Sequence, residues 1–202
     1  MNVLIACEES GTVRDAFIAK GHNAISCDIL DTSKPGPHIK GDVIKLLGME
    51  WDLIIAHPPC TYLSNSGVCH LYNKDGSKNL DRWSSLFEAK MFFGKILGCH
   101  HVPKIAIENP IPHKYGLGKT YTQLIQPYQF GHTERKATCL WLKGLPPLVE
   151  TNNVKDEMLK LPKKEQQRMH YMSPGKDRAK LRSKTYQGIA DAMAEQWGQY
   201  GF

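Results

Sequence analysis

Trp51-Asp52-Leu53-Ile54-Ile55-Ala56-His57-Pro58-Pro59-Cys60 is the stretch that decides the fold. From Trp51 to Ala56 it is nearly all apolar, as a strand covered by helices on both faces must be. It then stops at a proline pair, which fixes the backbone and withholds amide donors, so the Cys60 thiol projects from a rigid loop. Open α/β sheets put their binding clefts where buried strands give way to loops. Cys60 is expected at such a cleft.

The same punctuation recurs on either side. Asn2 to Ala6 is a short apolar run, followed by the turn Cys7 to Gly11 and a helical pattern from Thr12 to Lys20 that ends at Gly21. Asn23 to Cys27 reads as a second strand closing on Asp28, and Gly41-Asp42-Val43 precedes a short helix. A loop rich in Asn, Ser and Gly runs from Thr61 to Asn79, ahead of a helix from Leu80 to Cys99. Lys104 to Glu108 is the next strand, ending in Glu108-Asn109-Pro110. Beyond Pro110 the pattern loosens, with a strand over Ala137 to Leu142 and a last helix from Tyr186 to Trp197. Alternating strands and helices predict an α/β, Rossmann-like architecture, a mostly parallel sheet with helices on both faces.

With 202 residues, 41% of them hydrophobic, the chain suits one domain with a substantial core. The expected division is a catalytic and cofactor-binding domain over 1–150, a basic segment over 151–185 and a C-terminal helix over 186–202 packing back on the first. The apolar runs are strand-sized, and Met1 leads straight into Val3-Leu4-Ile5, so neither a membrane span nor a signal peptide is expected and the location is cytoplasmic. Six cysteines form no Cys-x-x-Cys pair and read as reduced thiols. Cys69-His70 and Cys99-His100-His101 fit no common zinc spacing, and no metal is expected.

The net charge of +6 is concentrated. Lys155, Lys160, Lys163, Lys164, Arg168, Lys176, Arg178, Lys180, Arg182 and Lys184 face only Asp156, Glu157, Glu165 and Asp177, an excess equal to the whole net charge. Such a segment reads as a phosphate-facing surface, with Lys176, Arg178, Lys180 and Arg182 at its centre.

Asp28, at the end of the second strand, is placed to bond the ribose hydroxyls of a nucleoside. Asp42 is placed either to accept from an adenine amino group or to cap the helix that follows. A thiol at neutral pH is only a few per cent thiolate unless a base or positive charge is near, and His57 and Arg135 are the candidates beside Cys60. Glu108, at a strand end facing the same cleft, is placed to donate a proton to a ring nitrogen.

In this order the motifs resemble those of the S-adenosylmethionine-dependent DNA cytosine carbon-5 methyltransferases. Val3 to Gly11 matches the cofactor loop in position, Asp28 the ribose-binding acid, Gly41-Asp42-Val43 the adenine-contacting motif, Pro58-Pro59-Cys60 the nucleophile motif and Glu108-Asn109 the catalytic glutamate motif. Glu134-Arg135-Lys136 before a strand resembles the later arginine motif. The resemblance implies the family's Rossmann-like methyltransferase fold and S-adenosylmethionine as cofactor, with S-adenosylhomocysteine as its product. The cofactor would be held by Ala6, Cys7, Glu8, Ser10, Gly11, Asp28, Ile29, Asp42, Val43 and Pro58. It implies that Cys60 adds to carbon 6 of an extruded cytosine, that Glu108 bonds ring nitrogen 3 and the exocyclic amine, and that Arg135 bonds the base carbonyl. DNA is the implied partner, touched also by Ser64 and Asn65.

The departures are specific. Glu8-Glu9-Ser10 stands where the family shows a glycine-rich turn with an aromatic residue, Arg135 lacks the family's paired arginine, and Gly188 is followed by Ile189-Ala190 without the expected asparagine. The interval from Trp141 to Arg182 is too short for a large target-recognition domain, so a second copy or a protein partner is expected to supply recognition. Three rivals stand beside this reading. Methyltransferases acting on exocyclic amines place Asp, Asn or Ser before the proline pair and an aromatic residue after it, where this chain has His57 and Cys60. A pyrimidine carbon-5 enzyme transferring another group or acting on a free nucleotide is the second, and a non-catalytic DNA-binding module of the same fold the third.

Overall fold

A computed structural model describes residues 1–175 and 178–199. Its centre is a seven-stranded sheet: β1 (Asn2–Ala6), β2 (Asn23–Asp28), β3 (His38–Lys40), β4 (Leu53–Ala56), β5 (Lys104–Pro110), β6 (Gln123–Ile125) and β7 (Thr138–Lys143). The strands lie in the order β3-β2-β1-β4-β5-β7-β6. The first five are mutually parallel, and β7 runs antiparallel to both β5 and β6. This is a Rossmann-like α/β arrangement, mostly parallel with helices on both faces.

The helices are α1 (Thr12–Ala19), α2 (Leu80–Leu97), α3 (Lys155–Lys160), α4 (Lys163–Gln166), α5 (Arg168–Tyr171), α6 (Arg178–Ser183) and α7 (Gln187–Gly198). Because side chains alternate along a strand, the inner strands feed two cores. Val3, Ile5, Leu53 and Ile55 pack with Phe17 of α1 and with Ile189, Met193 and Trp197 of α7. Leu4, Ala6, Ile54, Ala56, Ile105 and Ile107 pack with Leu86, Phe93 and Ile96 of α2 on the other face. All four residues of β4 are fully buried. No helix among the described residues is long and apolar enough to cross a membrane.

Strand order reverses between β1 and β4, and ligands of open α/β sheets bind outside the carboxyl ends of the strands at such a point. Cys7, His57 and Glu108 all lie at carboxyl ends there. The loop after β4 is tied back to its neighbours: His57 N–H donates to the Ala6 carbonyl (2.9 Å), and Asn109 Nδ2 donates to the Pro58 carbonyl (2.8 Å).

The start of α7 is sterically fixed. A Cβ on Gly188 would overlap the Phe130 carbonyl oxygen, while the Gly188 amide donates to His132 Nε2 (3.0 Å). Overpacking against backbone costs about 1–3 kcal/mol. Gly188→Ala is therefore expected to lower stability by about that much, read as a lower urea midpoint with unchanged slope; an unchanged midpoint would show that this end of α7 can shift.

Candidate active site

The turn after β1 is built from its own side chains. Cys7 is the only non-glycine residue with positive φ (58°) among those described, and Gly11 also lies in that region (67°). The buried Glu8 carboxylate accepts from the Val13 amide (2.7 Å) and the Arg14 amide (3.3 Å), satisfying donors that the first turn of α1 leaves open. Ser10 Oγ donates to Glu8 and to Thr12. The side chains of Glu8 and Ser10 are thus spent on the turn. Burial, with the charges of Asp28, Cys27 and Asp42, pushes the Cys7 thiol up to about 12.

Asp28 Oδ1 accepts from the Leu30 amide (2.9 Å), and the next side chain, Ile29, is 73% exposed. Asp42 caps the 3₁₀ turn Val43–Leu46, accepting from the Ile44 amide (3.0 Å). It also lines a cleft of about 520 Å³ with Ile44, Phe87, Met91 and Phe92, while Val43 is buried beneath. Carboxylates flanking an exposed apolar side chain at a strand-end turn fit a nucleoside: the acids suit hydroxyl or amino donors and Ile29 a ring face.

Cys60 and Glu108 share one electrostatic neighbourhood. Burial raises the Cys60 thiol, Glu108's charge raises it further, and Lys136 and Arg182 pull it partly back. Burial also pushes Glu108 up, but hydrogen bonding from His57, the charges of Lys136 and His57, and a bond from Thr138 outweigh it, and the carboxyl is held below its ordinary range. The key contact is His57 Nδ1 to Glu108 Oε2 at 3.2 Å, with side chains 8% and 14% exposed.

Of Arg135 and Lys136, it is Lys136 whose charge acts on both Cys60 and Glu108. Arg135 is exposed and its backbone amide donates to the Gln166 carbonyl (2.6 Å). Lys136 instead reaches the site, its Nζ held by the Arg182 carbonyl (2.8 Å) and lying 5.7 Å from the Tyr186 ring centroid. The sequence signal was available as Lys136 itself, two residues ahead of a strand.

The basic segment folds onto this edge. Glu134 accepts from Arg168 (2.8 Å) and from the Tyr186 hydroxyl (2.8 Å). Lys180 of α6 lies 3.5 Å from the Glu9 carboxylate beside the first turn. Arg178 and Arg182 are half-buried in α6, and Lys176 lies outside the described residues.

After Cys60 the chain is anchored rather than loose. The Cys60 carbonyl accepts from the Leu63 and Ser64 amides. Ser64 is buried with its hydroxyl on Ser66 (2.9 Å), and Asn65 is exposed. Beyond them lies a group of aromatic and basic side chains that sequence reading did not single out. Arg82 covers the Tyr62 ring at 4.3 Å, Trp83 meets Tyr72 and Tyr115 edge-on, and Lys78 and Lys114 lie over Trp83 and Tyr115. Tyr72 is 41% exposed.

No family model and no curated protein matches this chain. Among solved structures it is similar to a prophage-encoded Escherichia coli protein described as a DNA modification methyltransferase, at 14% identity and TM-score 0.47, covering 80% of this chain and 55% of that one. It is also similar to a mutant of Spodoptera frugiperda DNMT2, at 12% identity and TM-score 0.37, covering 76% and 54%. The chain spans about half the length of these structures.

Proposed function

We propose that this protein is an S-adenosylmethionine-dependent DNA methyltransferase acting at carbon 5 of cytosine through a covalent Cys60 adduct. One observation carries the reading: Cys60 and Glu108 come from separate strand ends into one neighbourhood at the switch point of the sheet, where the charge of Glu108 acts on the Cys60 thiol. A nucleophile and a carboxyl that meet in this way suit attack on an electron-poor ring whose developing charge must be neutralised.

When bound, S-adenosylmethionine supplies an electrophilic methyl group. The chain's part is to hold it at Asp28, Ile29 and Asp42, with the backbone of Ala6 to Gly11 and Pro58 lining the approach. Cys60 Sγ bonds carbon 6 of a base extruded from the stack, and Glu108 supplies the proton at ring nitrogen 3. Arg135 was the expected contact to the base carbonyl; Lys136 is the cation whose charge reaches the pair.

DNA would cross two basic surfaces, α6 on one side of the site and the Arg82, Lys78 and Lys114 group on the other, where exposed aromatic edges add stacking surface. Recognition by a second copy or a protein partner belongs to the same proposal, as does the division of the chain into a catalytic domain, a basic segment and a closing helix. The deciding experiment is nucleoside mass spectrometry of DNA incubated with the protein and isotopically labelled S-adenosylmethionine. Labelled 5-methyldeoxycytidine is expected; label on an exocyclic amine, or none, would overturn the reading. Neutralising Arg178 and Arg182 together is expected to flatten the salt dependence of DNA binding, the slope falling by about 0.9 for each phosphate that is no longer neutralised. An unchanged slope would remove α6 from the DNA surface.

A further inference from the structure

His57 stands where the rival amine methyltransferases place Asp, Asn or Ser, and its side chain is committed to Glu108. Its other ring nitrogen, Nε2, is buried with no partner. Three arrangements fit a 3.2 Å contact between Nδ1 and Oε2. In the first a neutral ring donates Nδ1–H to a carboxylate and leaves Nε2 a bare lone pair; in the second an imidazolium donates to the carboxylate, in the third a protonated Glu108 donates to Nδ1, and both of these leave Nε2–H an orphaned buried donor. Orphaned buried N–H groups are rarer than undersatisfied acceptors.

The surrounding charges favour the first arrangement. Glu108 is faced by His57 and Cys60 from the loop after β4, by Lys136 from the segment before β7, and by Thr138 and Cys139 from β7 itself. Arg182 of α6 acts on Cys60 from the other side. The lysine whose charge acts on the carboxyl is Lys136, and no second carboxylate among the described residues acts on it.

We propose that His57 is a positioning residue that holds Glu108 as a carboxylate beside a neutral Cys60 thiol, so that the proton leaving Cys60 Sγ is the one Glu108 delivers to ring nitrogen 3. The delivery step rests on the pyrimidine carbon-5 reading; the charge state in the free protein does not. The step balances without a co-reactant. The S–H bond breaks and the proton passes to Glu108, Sγ bonds carbon 6, the ring double bonds C5=C6 and C4=N3 become C4=C5, and nitrogen 3 takes the proton from Glu108. Arrival of the base thus sets both groups to work together, with no free thiolate waiting in the cleft.

Thiol with carboxylate and thiolate with carboxylic acid contain the same number of protons, so a pH–rate profile reports only the pair. The test therefore reads each group separately, in the full chain without DNA or cofactor. Cys60 alkylation by iodoacetamide is followed by peptide mass spectrometry across pH, with the exposed Cys69 as internal reference.

Cys60 is expected to react more slowly than Cys69 at neutral pH. Glu108→Gln removes the charge opposing the thiolate and should speed Cys60 by up to about tenfold, the effect of one unit in thiol pKa. His57→Leu should produce the same rise by letting Glu108 protonate, and the double variant should be no faster than Glu108→Gln. His57→Gln retains an N–H donor and should stay near wild type. An unchanged rate in His57→Leu, or a further rise when it is added to Glu108→Gln, overturns the proposal. If His57→Leu does not fold, the infrared difference between wild type and Glu108→Gln at neutral pH decides: a carboxylate band upholds it, a carboxylic-acid band refutes it. Because none of these readouts uses transfer, a protein that fails to methylate DNA would sink the function and leave this result standing.

Discussion

Cys60→Ser is expected to lose DNA methylation by more than about a thousandfold, because a serine hydroxyl is far less nucleophilic than a thiol and the Glu108 carboxylate is too weak a base to take its proton. The variant should keep its fold. The turn after Pro59 is held by the Cys60 carbonyl, which accepts from the Leu63 and Ser64 amides, and none of those bonds uses Sγ. Cofactor affinity should also be unchanged, since Asp28, Ile29 and Asp42 hang from other strand ends. DNA carrying 5-fluorocytosine gives a second readout: fluorine at carbon 5 cannot leave as a proton does, so the adduct persists on a denaturing gel. Wild type should form it and Cys60→Ser should not. Methylation by Cys60→Ser at the wild-type rate would show that Cys60 is a neighbour of the chemistry and not its nucleophile.

The pair at the centre of that expectation was legible because its signals are local. A buried strand announces itself by unbroken apolar residues, as in Leu53–Ala56, and the proline pair marks where it stops. The long helix was equally plain, since eighteen residues give its period five turns. The three-residue strands His38–Lys40 and Gln123–Ile125 were not seen, being too short to show any period. They form the two edges of the sheet and owe their pairing to β2 and β7.

Side-chain partnerships were the least legible. Nothing local tells that His57 will meet Glu108 fifty-one positions away, or that Glu8 will be spent on the amides of α1. Asp42 was read with two outcomes open, and its carboxyl does cap the next turn. Lys136 was given no role because the motif directs attention to an arginine, while its partner, the Arg182 carbonyl, lies forty-six positions away. Nor does composition tell that Lys180 of the basic segment will lie beside Glu9 of the first turn.

Arg14→Met is expected to be the most destabilising single change outside the two cores, at about 2–4 kcal/mol, the sum of a few buried polar groups deprived of their partners. Charged residues are almost never fully buried unless paired, yet the exposure of Arg14 is 0%. Its guanidinium donates to Asp15 (2.8 Å), Ser26 Oγ (3.3 Å), Thr32 Oγ1 (3.3 Å) and the carbonyls of Lys34 (3.4 Å) and Pro35 (3.1 Å). Gly11 and Gly36 make room for it, since a Cβ on either would meet the guanidinium. Asp15 is 39% exposed and can rehydrate, so the cost comes chiefly from the bonds lost to the buried Ser26 and to the part-buried acceptors of Thr32, Lys34 and Pro35, a hydrogen bond to a charged group being worth about 1.5–3 kcal/mol. Arg14→Lys should recover little, because a single ammonium cannot span the fork of acceptors that a planar guanidinium fills. The loss should also reach function, since residues 29–37, which Arg14 pins to α1, begin immediately after Asp28 and include Ile29. Thermal melting should therefore fall, and S-adenosylmethionine affinity should fall with it even well below the new midpoint. A stable Arg14→Met variant with wild-type affinity would mean that the loop keeps its place without the arginine and that the buried charge serves neither.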